Sequence, residues 1–470
     1  MRLLSRLTAA TGLFFLAACQ SAPAPVHAEQ NDMAAVFDAL KASPPEMEAF
    51  LRAMPKGGDL HNHAVGSIYA ENFIAWAVED GLCVDKAALI LIACEGNDQA
   101  VLVSEAIVDR LFYDRLIDGL SMRNYELYER SGHDQFFATF AAFRAAEAGR
   151  DGEMLAEIMA RAGAQNILYL ELMISPGMFQ AMGLAQDMAW NDDLAMMRAG
   201  LSDAALDALV AQSSAELDAH EREARTLLAC GTEAADPGCD VKVRYLAQVI
   251  RVFPAPQVFA QVVYGFHLAR HDPRFVGLNL VAPEDDPVTL RDYTKQMQAV
   301  GFMGERMPEV GITLHAGELA MGLVPPEDLR FHIREAVEIA GADRIGHGVD
   351  IMWEDDPWDL LALMAERDIL VEINLTSNAV ILGIEGRNHP FPIYRAAGVP
   401  VALSTDDEGV SRIDLTHEYL RAVETFDLTY ADVKTLSYNS LLYGFDSGDL
   451  VADLDARFAA FEADWQNAGP

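Results

Sequence analysis

Eight short apolar runs, separated by longer stretches of helical spacing, limit what this chain can fold into more than any other feature. The runs are Asp59–Val65, Ile167–Ile174, Val241–Val252, Phe275–Val281, Gly311–Ala316, Arg344–Ile351, Ile369–Leu375 and Val399–Ser404. Most have the length of a strand rather than a helix. Helical periodicity fills Leu329–Ala340, Trp358–Glu366 and Pro392–Ala397 between them. Strands that alternate with helices run parallel and are joined by crossovers. Eight such units predict an α/β fold, a closed (β/α)8 TIM barrel, with its functional residues at the C-terminal ends of the strands.

Two connections are longer than a bare barrel needs. Residues 66–166 follow the first strand and residues 175–240 follow the second, and both read as mostly helical. These insertions are expected to pack over the barrel mouth or to form a homodimer interface, not to fold separately. Ahead of the first strand, Ala34 to Met54 has a helical pattern broken at Pro44-Pro45. Residues 34–470 therefore read as one barrel domain.

The N-terminus has a different character. Arg2 and Arg6 precede Leu13-Phe14-Phe15-Leu16, an apolar core too short to span a bilayer. Residues 1–18 read as an export signal. Leu16-Ala17-Ala18-Cys19 resembles the bacterial lipobox, which makes Cys19 the lipidated first residue of the mature chain. The alternative is an ordinary secretory signal cut after Ala18 or Ala28. Gln20, standing where Asp would favour the inner membrane, implies an outer-membrane anchor facing the periplasm. Residues 19–33 read as a flexible tether, and this lipid anchor is the only membrane contact expected.

Export fits the cysteines. Beyond Cys19 there are four: Cys83, Cys94, Cys230 and Cys239. Oxidising compartments favour disulfides, and pairing neighbours as Cys83–Cys94 and Cys230–Cys239 closes two short loops. Four cysteines allow three connectivities, and four free thiols are the remaining alternative. The formal net charge of −38 repels phosphate backbones and argues against nucleic acid as a partner.

Residues suited to chemistry collect at strand ends. His61 and His63 close the first strand, His315 and Glu318 the fifth, and Asp406 and Asp407 the eighth; His347 lies in the sixth. Residues two apart in a strand point to the same side, so His61 and His63 can aim at one ion. With His315 and Asp406 they make a set of three imidazoles and one carboxylate, which suits zinc over magnesium or calcium. Glu318 and His347 are then placed for proton handling. The other histidines have plainer readings. His27 lies in the tether and His389 in a loop before a proline. His133, His220, His267, His271, His332 and His417 fall on or beside helical patterns and are expected to be solvated. His220-Glu221 and His417-Glu418 lack the second histidine of a zinc-protease motif.

Five segments resemble the adenosine deaminase family in order and spacing: Met54–His63, Thr313–Glu318, Arg344–Gly348, Glu372–Asn378 and Leu403–Asp407. The export signal, the long first insertion and Phe136-Phe137-Ala138-Thr139-Phe140 are closer to its secreted, growth-factor-like branch. The resemblance spans roughly residues 50–445. It implies that His61, His63, His315 and Asp406 hold the zinc. Glu318 would protonate N1 of a purine, His347 would orient and deprotonate the water that attacks C6, and Asp407 would hydrogen-bond N7. The implied reaction is hydrolytic deamination of adenosine, and of 2′-deoxyadenosine, in purine salvage. The fourth strand carries no lysine to bridge two metals, so one zinc per chain is expected.

Three positions depart from the family pattern. Ala64-Val65-Gly66 lacks the usual sugar-binding Asp, Ala282-Pro283-Glu284 replaces Gly-Asp-Glu, and Glu408 stands where Pro is frequent. All three are expected at sugar or purine contacts. Glu171, at the end of the second strand, is the candidate replacement sugar contact. Two alternatives follow: the same chemistry on another 6-aminopurine nucleoside, or a lipoprotein that binds nucleosides without catalysis.

Overall fold

The computed structural model describes residues 32–96 and 100–468. Its centre is an eight-stranded parallel sheet whose strands follow in sequence order. They are β1 (Gly57–His63), β2 (Ile167–Ile174), β3 (Lys242–Ile250), β4 (Phe275–Val281), β5 (Gly311–Ala316), β6 (Arg344–His347), β7 (Leu370–Ile373) and β8 (Val401–Leu403). All eight coincide with the apolar runs expected. The sheet closes on itself just past β8. Asp406 N–H donates to the His61 carbonyl at 2.8 Å, and His63 N–H donates to the Asp406 carbonyl at 3.0 Å. The result is a (β/α)8 barrel.

Helices pack outside the strands, with ends set by local chemistry. Asp286 caps the helix Pro287–Gly304 by accepting from Val288 N–H, with Pro287 at the first turn where no backbone donor is needed. The expected tether ends early, because Asp32 caps and Met33 begins the helix Met33–Leu40. This helix and Pro44–Ala53 bury Phe37 and Phe50 in an aromatic cluster with Tyr430, Phe461 and Trp465. Export signal, lipobox, Cys19 and His27 lie outside the described residues.

The second insertion is helical, dominated by Asp203–Leu227. The first is mostly helical too, with one element the sequence reading did not include. Among its helices lies a three-stranded antiparallel sheet made of Cys83–Asp85, Ile90–Ile92 and Val101–Leu102. Strands of two or three residues leave no readable period. Disulfides join Cys83 to Cys94 and Cys230 to Cys239, with Cα separations of 5.0 and 5.6 Å, the neighbour pairing. Among the described residues no helix is long and apolar enough to cross a membrane.

The floor of the barrel corrects one functional expectation. Glu171 is wholly buried midway along β2, not at its end. Its carboxylate pairs with Arg344 at 2.5 Å and accepts from Tyr169 Oη at 2.7 Å and from Phe445 N–H at 2.7 Å. Arg344 opens β6 at the N-terminal end of the barrel, so Glu171 faces the floor and is no sugar contact. Arg344 is itself buried and also donates to Glu372 at 2.6 Å. Removing one partner of a buried ion pair strands the other charge, at a cost of about 3–5 kcal/mol. Arg344→Leu is therefore expected to lower unfolding stability by about that much, read as an earlier midpoint in urea; an unchanged midpoint would show that the network contributes nothing.

Candidate active site

His61, His63, His315, Glu318, His347, Asp406 and Asp407 all meet at the C-terminal mouth, as their strand positions require. Four ligand atoms converge there. His315 Nε2 lies 3.1 Å from His61 Nε2 and 3.2 Å from His63 Nε2. Asp406 Oδ1 lies 3.4 Å from His61 Nε2 and 3.2 Å from His63 Nε2.

The other ring nitrogens decide what this convergence means. His61 Nδ1 donates to Glu372 Oε2 at 2.6 Å, His63 Nδ1 to Gln248 Oε1 at 3.1 Å, and His315 Nδ1 to Asn279 Oδ1 at 2.8 Å. All three acceptors are oxygens, so each Nδ1 carries the proton and each Nε2 turns a lone pair inward. Lone pairs repel at such distances unless a cation sits among them. A tetrahedral zinc with about 2.0–2.1 Å bonds fits, and a carboxylate, carbonyl or amide oxygen behind each metal-ligating imidazole is the usual support. The electrostatics agree. Burial disfavours a charged His61, but Asp406 and Glu372 outweigh it and raise its pKa to about 10. Burial also opposes ionisation of Glu372, yet Arg344 and then His61 hold its carboxyl at about 2. His315, by contrast, is held neutral by burial and then by the neighbouring His61.

Two further carboxyls behave oppositely. Burial, and then the charge of Asp406, holds the Glu318 carboxyl well above its ordinary range. Burial raises Asp407 to about 8, and its Oδ1 is buried without a partner. Gly66 has no side chain because a Cβ there would fall on the Asp407 carboxylate. Glu318 Oε1 is 3.6 Å from His347 Nδ1, and Asp406 Oδ2 is 4.0 Å from His347 Nε2. Burial lowers His347 to about 3. Both His347 (φ 69°) and Asp406 (φ 60°) occupy the left-handed region, a strained conformation that concentrates at functional sites. Gly346 makes room for His61, since a Cβ there would stand 2.7 Å from its Cε1.

The cluster opens into a cavity of about 470 Å³ lined by Phe136, Phe137, Phe140, Gln248, Ala282 and Pro283 besides the polar groups. The aromatic residues come from the first insertion, which therefore does cover the mouth. Of the three departures, Ala282 and Pro283 line this cavity, whereas Glu284 beside them and Glu408 face elsewhere. Glu408 pairs with Arg161 at 3.0 Å, behind the site. Glu284 accepts from Gly317 N–H at 3.0 Å and Glu318 N–H at 2.8 Å, bracing the turn that presents Glu318. His332, expected in solvent, is fully buried and donates to Glu284 at 2.6 Å. His389 is buried too, against Asn378. The supporting oxygens of Glu372, Gln248 and Asn279 were not picked out by sequence reasoning. Glu372 did lie within a segment that carried the family resemblance.

Fold and cluster define a class, a (β/α)8 barrel with a His/Asp centre at its mouth. A family model described as adenosine deaminase matches residues 126–454. The chain belongs to the adenosine deaminase family. An adenosine deaminase of Clostridium perfringens is 28% identical over 221 residues, covering 47% of this chain and 61% of that protein. The chain thus matches under two thirds of the length of that relative. A Vibrio vulnificus adenosine deaminase is 25% identical over 389 residues, covering 81% of this chain and 92% of that protein. Among solved structures, an amidohydrolase from Burkholderia ambifaria with bound Zn shares the fold at a TM-score of 0.59 and 20% identity, covering 90% of this chain and 95% of that one.

The imidazole supports make a direct prediction. Losing such a partner weakens metal affinity about 10–100-fold, so Asn279→Ala and Gln248→Ala are expected to show that loss in zinc titration against a chromogenic chelator. Unchanged affinity in both would remove these residues from the site.

Proposed function

We propose that this protein hydrolytically deaminates adenosine, and 2′-deoxyadenosine, to inosine and ammonia with one zinc ion per chain. The observation that carries the reading is the set of four converging ligand atoms, with Glu318 and His347 3.6 Å apart beside it and a cavity in front. His61, His63, His315 and Asp406 would hold the zinc. A zinc ion at such a site lowers the pKa of water to about 7.

The chain's own groups supply the rest. Glu318, kept protonated by burial, gives its proton to N1 and makes C6 electrophilic. Asp407 Oδ1 has no protein partner and is free to bond the purine at N7. His347 orients the attacking water over C6. The water's oxygen stays on C6; its two protons end on the departing amine and, by way of Glu318, on N1. Phe136, Phe137 and Phe140 keep bulk water from the reacting carbon.

A second cavity supports a second reading of the substrate. It measures about 460 Å³, shares His63, Phe140 and Gln248 with the first, and runs past Ala64, Val65 and Gly66. With no carboxylate at Ala64-Val65 to bind the sugar, this space suits a 6-aminopurine nucleoside carrying a further substituent. The secreted branch, the lipid anchor at Cys19 and an envelope location in purine salvage are part of the same proposal. The export-like N-terminus supports them, together with two disulfides suited to an oxidising compartment.

The decisive test is loss of the adenosine ultraviolet band on adding zinc-loaded protein that lacks residues 1–19. Glu318→Gln should lower kcat by about 10²–10⁴-fold, as expected for loss of a general acid. Comparing kcat/KM on adenine, adenosine and 5′-modified adenosines ranks the two substrate readings. A zinc-loaded wild type silent on every aminopurine would sink the catalytic proposal and leave nucleoside binding alone.

A further inference from the structure

His389 is buried and makes two hydrogen bonds whose directions can be assigned without choosing a tautomer in advance. The Phe391 backbone N–H donates to His389 Nδ1 at 3.1 Å. A backbone amide can only donate, so Nδ1 holds a lone pair. Burial lowers the His389 pKa to about 3, and the neutral ring therefore carries its proton on Nε2. That Nε2–H meets Asn378 at 3.0 Å, so the amide presents its oxygen to His389. The amide nitrogen of Asn378 then faces the other way and donates to His347 Nδ1 at 2.9 Å. Each link dictates the next, and the first is fixed by the backbone.

We infer that His389 and Asn378 form a relay that fixes His347 as the Nε2–H tautomer, a hydrogen-bond donor to the attacking oxygen and not its base. The Nε2 side of His347 faces Asp406 Oδ2 at 4.0 Å, toward the converging ligand atoms. An Nε2–H there aligns the oxygen's free lone pair with C6. The opposite side suits this assignment, because Glu318 Oε1 stands 3.6 Å from His347 Nδ1. A lone pair at Nδ1 tolerates a protonated Glu318, whereas an N–H would pull its proton equilibrium toward the carboxylate. Asn374 Nδ2, at 3.5 Å from both ring nitrogens, is too distant to set the tautomer. One of the water's protons then passes on the carboxylate side to the departing amine, the other reaches N1 by way of Glu318, and His347 carries neither. His389 and Asn378 are positioning residues, since neither lines the cavity before Glu318.

This inference rests on the deaminase reading for its kinetic consequence, but not for its structural one. In the chain without residues 1–19, uniformly ¹⁵N-labelled at histidine, the His347 ring resonances are assigned by their loss in His347→Gln. The expected pattern is a protonated Nε2 and a bare Nδ1, both with and without zinc. A proton on Nδ1 in the wild type overturns the relay whether or not the protein is active. Asn378→Asp keeps the shape and accepts from His389, but it can only accept from His347, which inverts the tautomer. Inverting a catalytic imidazole is expected to cost about 10²–10⁴-fold in kcat, with zinc content unchanged and KM within a few-fold. Added negative charge alone would not move the proton to Nδ1 in the spectrum. His389→Phe should lower kcat by at least about 10-fold, and His389→Gln, which can donate to Asn378 and accept from Phe391, should recover most of it. Wild-type kcat in Asn378→Asp, or equal kcat and ring spectra in His389→Phe and wild type, would refute the proposal. A wild type inactive on every aminopurine, with the expected ring spectrum, would instead count against the deaminase reading.

Discussion

A single chain of charge runs up the inside of this barrel, and the site depends on it. Glu171 binds Arg344 on the floor, Arg344 binds Glu372, Glu372 binds His61, and His61 faces Asp406 at the mouth. Three buried carboxylates face one guanidinium, which leaves two negative charges in a dry interior. Buried charge without compensation is too costly to persist. A metal cation held by the histidines would supply what is missing. Glu372 itself stays ionised despite full burial because Arg344 and then His61 hold it so. Floor and mouth are thus one electrostatic unit, although they lie at opposite ends of the strands.

That unit clarifies what was legible in the sequence. The eight strands were readable because a strand buried on both faces is written as a continuous apolar run. The seven mouth residues were readable because a barrel puts the ends of distant strands together. Glu171 was misplaced by the same reasoning. It lies in the right strand but three residues short of its end at Ile174, and its side chain meets Arg344 and not the mouth. The small antiparallel sheet was invisible because its strands are shorter than any period. His332 was read as solvated and His389 only as a loop residue, because a histidine's burial depends on its partner. Those partners, Glu284 and Asn378, stand 48 and 11 residues away, at separations no periodicity encodes.

Glu284, next to the Ala282-Pro283 departure that lines the cavity, shows how a family position can serve the site without facing that cavity. Glu284 was expected at the purine; instead its two oxygens hold the backbone of Gly317 and Glu318. In the proposed reaction Glu318 must hold a proton and reach N1, and both demands fall on a short turn in which Gly317 has φ 72°. A carboxylate that accepts both successive N–H groups fixes that turn more tightly than side-chain packing could. His332 in turn donates to Glu284 and stacks on Tyr293, with ring centroids 3.8 Å apart. The proton donor is held from behind by groups the substrate never meets.

The same division of labour sets the limits of specificity. Around the purine end, every group is locked: His347 by Asn378, Glu318 by Glu284, Asp407 by the close approach of Gly66. Around the sugar end, Ala64 and Val65 offer no polar side chain, and space continues into a second cavity. A site built to hydrogen-bond a substrate group rejects analogues lacking it strongly, whereas apolar space discriminates by only about 1–3 kcal/mol per methylene. In the proposed reaction, selection would therefore act on the 6-aminopurine first and, beside Ala64 and Val65, on the sugar substituent weakly. The reaction is set by rigid polar geometry inherited from the barrel, and the substrate range by the insertions that roof it.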